Sequence, residues 1–192
     1  MPSTGAGILA ALSIIKGMKI KKNITLTIVT FLFFFSNTLF SQKKGFYENV
    51  QKKNVSKVLD DLNSYAANAD FNNYFDLFAE ESTYIGTDAT EVWNKKEFMD
   101  WSKPFFDGKK PWNFTSLKRN ITFSADGKYA WFDELLETQM KLCRGSGVLE
   151  KIGNQWKIRQ YVLSQTIPNE VNEAVIKIKT PIEDAVISGL KR

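Results

Sequence analysis

The chain has 192 residues, of which 43% are hydrophobic and 14% aromatic, a composition that suits one domain with a ring-rich core. Its net charge of +5 is unevenly placed. Residues 1–41 hold four of the 26 basic residues and none of the 21 acidic ones, which leaves 22 basic against 21 acidic residues in the remainder. This near-neutral balance excludes the basic surface of a nucleic-acid-binding protein, and we expect no nucleic-acid partner.

The sequence contains no histidine and a single cysteine, Cys143. These counts exclude serine–histidine and cysteine–histidine nucleophile systems and an intramolecular disulfide. They also remove the usual ligands of zinc and other transition metals, so we expect neither a metal nor an organic cofactor. Cys143 stands beside Arg144, which could activate a thiol, but a small apolar packing residue is the favoured interpretation.

Residues 1–41 are typical of a leader followed by a secretory signal peptide. A positive segment precedes an apolar run over 24–35 and a polar segment over 36–41; its charges are Lys19, Lys21 and Lys22. The apolar run is shorter than the about 20 residues that cross a bilayer. We therefore expect cleavage after Ser41 and export to the periplasm or the extracellular space, with no stable membrane anchor left. An uncleaved anchor over 24–40 is the alternative.

Helices are predicted first along the remaining chain. Apolar residues at helical spacing indicate an amphipathic helix over 46–69. Asp70 then caps a short second helix, FNNYFDLFA, and STYIGT predicts a strand ended by Gly86. A third helix, NKKEFMDWSKPFF, begins at Asn94, which forms a capping box with Glu97.

Proline and glycine residues place the ends of the later elements. Pro104 should kink the third helix or end it one residue earlier. Residues 113–166 are strand-like, with turns at Asp126-Gly127 and Gly153-Asn154, so a long antiparallel meander is predicted. The tail over 168–192 is helical in two pieces, one from Asn169 and another with its N-terminal residues at Thr180, Pro181 and Glu183.

Five segments of the chain, in this order, carry a resemblance to a known family: AANADFNNYFDLFAEESTYIGTDATEVW, NKKEFMDW, AWFDELLE, RGSGVLEK and WKIRQYVLS. They resemble the SnoaL-like branch of the nuclear-transport-factor-two-like superfamily, to which ketosteroid isomerases also belong. The resemblance implies an α+β fold over 42–167. N-terminal helices would pack on one face of a strongly curved antiparallel sheet, as a cone-shaped, cystatin-like roll. Many members carry histidines in the last strand where Gln160 and Val162 stand here.

The resemblance also implies a pocket inside the cone and a homodimer formed through the outer face of the sheet. Trp93 and Trp101 lie around the loop and helix that roof the cone, whereas Trp156 belongs to the core. The predicted ligand-binding residues are Tyr84, Trp93, Trp101, Phe105, Asp133, Glu134, Arg144 and Gln160.

Two adjacent acids, Asp133 and Glu134, interrupt the apolar strand AWFDELLE. Because neighbouring side chains of a strand point to opposite faces, only one of them can enter the cone. A turn centred on Met140-Lys141 would place Glu137 opposite Arg144, with Asp133 on the same face as both. Glu134 would then share its face with Phe132 and Leu136.

We expect the inward acid to be held as the charged partner of Arg144, because an ionised carboxylate is costly to bury alone. A ligand-recognising acid at the mouth and a general base are the alternatives. The leading functional interpretation is an exported SnoaL-like protein that binds a small, largely apolar molecule. An isomerase, dehydratase or hydrolase that uses a pocket carboxylate, and a non-catalytic envelope interaction module, are the rivals.

Overall fold

A computed structural model describes residues 47–109 and 112–191. The predicted leader, signal peptide and cleavage site lie outside these residues. The chain divides into two compact units, Met1–Gln51 and Lys52–Arg192. In the first unit, residues 47–51 are helical; the elements from residue 52 onward belong to the second unit.

Two helices open the second unit: α1 over residues 52–67 and α2 over Phe71–Asp76. A third helix, α3 over Lys95–Asp107, follows the first two strands. Asp70 caps α2 as predicted, since its side chain accepts a hydrogen bond from the Asn73 N–H at 3.2 Å. The predicted capping box of α3 is also confirmed. Asn94 Oδ1 accepts from the Glu97 N–H at 3.0 Å, and Glu97 Oε2 accepts from the Asn94 N–H at 2.9 Å.

Two predicted helix ends were wrong. The second helix stops at Asp76 rather than Ala79, because the chain enters a strand at Phe78. The third helix passes through Pro104 to Asp107. Proline removes only one N–H from the helix, and the Gly108 N–H still donates to the Pro104 carbonyl at 3.0 Å.

Six strands form one sheet, in the order β2-β1-β6-β5-β4-β3. Their bounds are β1 Phe78–Ile85, β2 Val92–Asn94, β3 Thr115–Phe123, β4 Tyr129–Thr138, β5 Lys141–Ile152 and β6 Gln155–Gln165. The predicted meander is confirmed as β3 to β6, with Gly127 and Gly153 in the turns at φ values of 69° and 60°. The short β2 escaped prediction, and β1 pairs with β6 in parallel, so the sheet is mixed.

The sheet is curved and carries the helices, which confirms the predicted α+β cone. Register shifts interrupt three strand pairs, and such irregularities bend a sheet. The core fills the concave side with α1 residues Val55 and Leu59, α2 residues Tyr74 and Phe75, and strand residues such as Ile158. Trp156 is 4% exposed, as expected of a core residue.

A single helix, α4, ends the described chain. The short 3₁₀ turn Asn169–Val171 leads directly into α4 over Asn172–Leu190, with Pro181 inside it. The predicted break at Thr180 was therefore wrong: instead of capping a new helix, the Thr180 hydroxyl donates to the Ile176 carbonyl at 2.6 Å. None of the side chains of α4 is buried. Within residues 47–109 and 112–191, no helix combines the length and the apolar character needed to cross a membrane.

Candidate functional site

A column of nearly parallel aromatic rings runs from the core to the surface, and we call it the ring column. It begins with the buried Tyr161, whose ring lies 5.5 Å from that of Tyr84 at an angle of 6°. Tyr84 stacks on Phe98 at 3.9 Å and 14°. Phe98 lies 5.8 Å from Trp93, which in turn stacks on Trp101 at 4.7 Å. The last ring, Trp101, is 42% exposed, so the column ends at solvent.

A cavity of about 170 Å³, the roof cavity, opens beside the upper part of this column. Its aromatic walls are Tyr84, Trp93, Phe98, Trp101, Trp112 and Phe114. Met140 and Leu163 add apolar surface, while Glu91 and Gln139 supply polar atoms. An apolar wall with few polar groups is the usual composition of a small-molecule site.

A second cavity of about 660 Å³, the entrance cavity, adjoins the first. Trp101, Trp112 and Gln139 line both cavities, so these side chains separate them. Phe105 and Glu137 line only the entrance cavity. Four of the predicted site residues, Tyr84, Trp93, Trp101 and Phe105, are thus brought together around the two cavities.

The loop between β1 and β2 places Glu91 at the roof cavity. The Gly86 N–H donates to the Glu91 carbonyl at 2.8 Å, and the Asp88 N–H donates to Glu91 Oε2 at 3.1 Å. Asp88 Oδ1 accepts from both the N–H and the hydroxyl of Thr90, at 2.9 and 2.6 Å. Gly86 leaves the space that the Glu91 carboxylate occupies, since a Cβ there would lie 2.2 Å from Oε2.

Glu134 is the acid that enters the cone, and its partner is Arg119. Glu134 is 1% exposed. Its Oε2 accepts from Arg119 Nε at 2.8 Å and from the Ser116 hydroxyl at 2.9 Å, and lies 2.7 Å from Arg119 Nη2. Arg119 Nη1 also donates to α1, at 3.0 Å from the Ser56 carbonyl and 2.8 Å from Asp60 Oδ1. The sequence-based choice of Arg144 as the partner was wrong.

Asp133 and Arg144 instead pair with each other on the outer face of the sheet. Their Oδ1 and Nη1 atoms lie 3.5 Å apart, with side chains 43% and 50% exposed. Arg144 is opposite Leu135 rather than Glu137, so the predicted register was wrong by two residues. A shift of two keeps each residue on its face, which is why Asp133, Glu137 and Arg144 still share one.

Gln160 also lies away from the roof and entrance cavities. It is half-buried on β6, opposite Thr83 of β1 and Val148 of β5. Gln160, Asp133, Glu134 and Arg144 are therefore not among the residues that line these two cavities.

The deep part of the cone is filled by side chains. A void of only about 10 Å³ remains beside Tyr74, Tyr84 and Tyr161. Within the described residues, Glu134 Oε1 and the Tyr161 hydroxyl form no hydrogen bond, although both approach the space above Gly145. Burial raises the pKa of Tyr161 well above its ordinary value, and the charge of Glu134 raises this pKa further. Among the described side chains this void is too small for a molecule larger than water, so these groups can hold a water molecule or a proton.

Sequence reasoning missed Glu91, Trp112 and Phe114, which line the roof cavity, and Arg119, which holds Glu134. Trp112 and Phe114 lie in the irregular segment before β3, where no periodicity indicates a face. Arg119 could have been found from its position on β3, four residues before Phe123, in a strand that pairs with β4. Elsewhere in residues 47–109 and 112–191, no three carboxylate or thiol groups lie close enough to hold a metal ion.

The fold and the cavities define a class of protein: a curved-sheet cone with an aromatic site at its mouth. A family model described as a SnoaL-like domain matches residues 55–168, which is more than half of the chain. The chain belongs to the SnoaL-like domain family. Among curated proteins, none matches this sequence at a significant level.

Solved structures of NTF2-like proteins share the fold. An NTF2-like protein of unknown function from Pseudomonas putida KT2440 superposes with a TM-score of 0.55 at 11% identity, over 64% of this chain and 92% of the other. A candidate dehydratase of the NTF2-like family from Streptomyces avermitilis gives 0.54 at 11% identity, over 63% and 99%. The association domain of C. elegans CaMKII gives 0.52 at 19% identity, over 62% and 98%. At these identities the likeness concerns the fold.

Proposed function

We propose that this SnoaL-like protein binds a small, largely apolar molecule at the mouth of its cone. The roof cavity carries the proposal: about 170 Å³ walled by six aromatic side chains. Apolar protein cavities of about 150 Å³ hold a single aromatic ring. A ligand of one ring with short substituents therefore suits this space, and the entrance cavity leaves room for a longer substituent.

The ring column explains how the site is held open. Trp93 and Trp101 stack on one another, and Phe98, which contacts both rings, is only 1% exposed. A wall fixed by buried rings needs little reordering when a ligand enters, so less of the binding free energy is spent on ordering side chains. Mutation of Trp101, the exposed end of the column, should therefore remove binding with little effect on the rest of the fold.

A direct test uses a neutral ligand of the expected size. Isothermal titration calorimetry with tert-butylbenzene should detect binding to the wild type and no binding to Trp101→Ala. A matched control is Trp131→Ala, because Trp131 is 48% exposed but lies on β4, away from both cavities. Equal affinities for the wild type and Trp101→Ala would contradict this site.

A catalytic role is the second candidate, and Glu134 is the observation that favours it. Its buried carboxylate has one oxygen without a hydrogen bond among the described residues, and Tyr161 lies beside it. Such a pair could move a proton. However, Arg119 balances the charge of Glu134, and the void beside Tyr161 is about 10 Å³. Binding at the mouth is therefore the better supported function, and an enzyme would require the deep rings to move.

Export and self-association complete the proposal. The lysines and the apolar run within residues 1–41 support secretion. Mass spectrometry of the exported chain should find Gln42 at its N-terminus, whereas an intact N-terminus in the cytosol would contradict export.

The half-exposed Trp131 on the outer face of β4 supports a homodimer formed through that face.

A further inference from the structure

We infer that the roof cavity selects an organic cation, meaning a quaternary or alkylated ammonium group attached to an apolar body. This inference rests on the proposed function, because it names the charge of the molecule that the same site binds. Two features of the cavity lead to it: its apolar aromatic walls and the one carboxylate among the described residues that line it.

The aromatic walls suit the apolar body of such a molecule. Tyr84, Trp93 and Trp101 are stacked in the ring column, so each has at least one face covered by a neighbouring ring. These rings supply apolar surface for the body and its alkyl groups. The positive charge is therefore recognised by another group of the cavity.

Among the described residues that line the roof cavity, Glu91 supplies the only carboxylate. Asp88 donates its N–H to Oε2, which fixes the carboxylate without neutralising it. Across the described part of the chain, no lysine or arginine forms an ion pair with Glu91. The charge of Glu91 also acts on the buried Tyr84. Burial raises the pKa of the Tyr84 hydroxyl, and the negative charge of Glu91 raises this pKa further.

Within the described chain, the cavity presents no basic side chain to this carboxylate. The residues that line the roof cavity and the entrance cavity include no lysine or arginine among those described, and Glu137 adds a second negative charge at the entrance. An anionic ligand would be repelled by these two carboxylates. A cationic ligand would be attracted to them, so the charge of the site favours a cation over an anion.

The loop between β1 and β2 is built to present this carboxylate. A Cβ at Gly86 would lie 2.2 Å from Glu91 Oε2 and 2.9 Å from Glu91 Cβ, so any larger residue must displace the whole side chain. Gly86 therefore acts as a positioning residue for Glu91.

The test compares two ligands of the same shape. Phenyltrimethylammonium and tert-butylbenzene differ only in a charged nitrogen that replaces a carbon. Calorimetry should show that Glu91→Gln weakens binding of phenyltrimethylammonium about tenfold, because it removes a charge at short range, and leaves tert-butylbenzene unchanged. Glu173→Gln on α4 changes the net charge equally and should alter neither affinity.

Gly86→Ala provides a second variant that keeps the charge. By displacing Glu91 it should also weaken phenyltrimethylammonium several-fold and spare tert-butylbenzene. Its control is Gly189→Ala, where an added Cβ meets no atom within 4 Å. If Gly86→Ala fails to fold, the Glu91→Gln comparison still decides the question.

Each outcome separates this inference from the proposed function. Binding of tert-butylbenzene alone, or equal effects of Glu91→Gln on both ligands, would overturn the preference for a cation and leave the apolar site intact. Binding of neither ligand would overturn both proposals. Weaker binding of the cation alone in Glu91→Gln supports both.

Discussion

Arg119 and Glu134 form an ion pair on the concave side of the sheet, with Nη2 and Oε2 2.7 Å apart. The side chain of Arg119 is 10% exposed and that of Glu134 is 1% exposed, so the pair is shielded from water and from salt. Because Arg119 also bonds to Ser56 and Asp60, it ties β3 and β4 to α1.

Removal of Arg119 alone should strongly destabilise the fold. Arg119→Met leaves Glu134 as a buried charge without its partner, and we expect a loss of about 3–5 kcal/mol in the free energy of unfolding. The double variant with Glu134→Gln should lose less than the sum of the single variants. Urea denaturation measures all three. Arg144→Met is the matched control and should cost about 0–1 kcal/mol, because its pair with Asp133 is half-exposed. Additive losses would show that the two side chains are not coupled.

Substitutions at Trp101 and at Phe98 should affect ligand binding and the free energy of unfolding to different extents. Trp101→Ala removes a ring that is 42% exposed, so ligand binding should disappear at modest cost in stability. Phe98→Ala removes a ring that is 1% exposed and should cost about 3–5 kcal/mol. Thermal or urea unfolding measures the loss of stability, and calorimetry measures the loss of ligand binding. An equally large loss of stability in Trp101→Ala would show that this ring is part of the core.

The buried Tyr161 should make the fold sensitive to alkali. Its pKa is raised in the folded state, chiefly by burial. A tyrosine of this kind stabilises the fold fully below its unfolded pKa of about 10, and this contribution is lost as the pH rises above that value. The free energy of unfolding should then fall by up to about 1.4 kcal/mol per pH unit for this group.

Tyr161→Phe tests the alkaline effect, since it keeps the ring and removes the ionisable group. Unfolding by urea at about pH 9 and about pH 11 should show a shallower decline in the variant than in the wild type. The same slope in both would mean that Tyr161 does not contribute.

Gly147 should tolerate no side chain. A Cβ there would lie 2.0 Å from the Gln160 carbonyl oxygen of the neighbouring strand, and backbone cannot move aside as a flexible side chain can. Gly147→Ala should therefore destabilise the fold by about 1–3 kcal/mol. Gly189→Ala, which adds a Cβ in open space, should be neutral or slightly stabilising because α4 is a helix. Comparable unfolding midpoints for the two variants would refute the close approach.

The outer face of the sheet should form the contact between two copies of the chain. Trp131→Glu would place a charge at this face and should convert a dimer into monomers, as measured by light scattering after gel filtration. Ile178→Glu is the comparison, because Ile178 is 74% exposed on α4, whose apolar residues are also unburied. If only Ile178→Glu yields monomers, α4 forms the contact instead.

The predictions from the sequence succeeded where a local pattern determines the result. The capping box at Asn94, the glycines at the two hairpin turns and the alternation in β4 each depend on neighbours along the chain, and each was confirmed. The same alternation shows that only one of Asp133 and Glu134 can enter the cone, but it does not determine which one. Arg119 was missed as the partner of Glu134, although the predicted turn at Asp126-Gly127 sets the register that places the two residues opposite each other.

The roof cavity depended on long-range placement. Trp93 and Trp101 were proposed from the family resemblance, which places them around the loop and helix that roof the cone. Glu91 and Trp112 could not, since their positions arise from an irregular loop and an irregular segment that meet only in the folded chain. The helix boundaries predicted at the two prolines were wrong for another reason. A helix interior accepts Pro104 and Pro181 when the surrounding hydrogen bonds persist.

The stacking of Trp93 on Trp101 gives the molecule its own optical signal. Two indoles with centres 4.7 Å apart and planes 27° apart have coupled electronic transitions. Their excited states mix, which produces a pair of circular dichroism bands of opposite sign. Because one of these indoles closes the roof cavity, a ligand that shifts it by a fraction of an ångström changes the intensity of this pair of bands. Occupancy can thus be followed in the unlabelled protein, by light that the tryptophans themselves absorb.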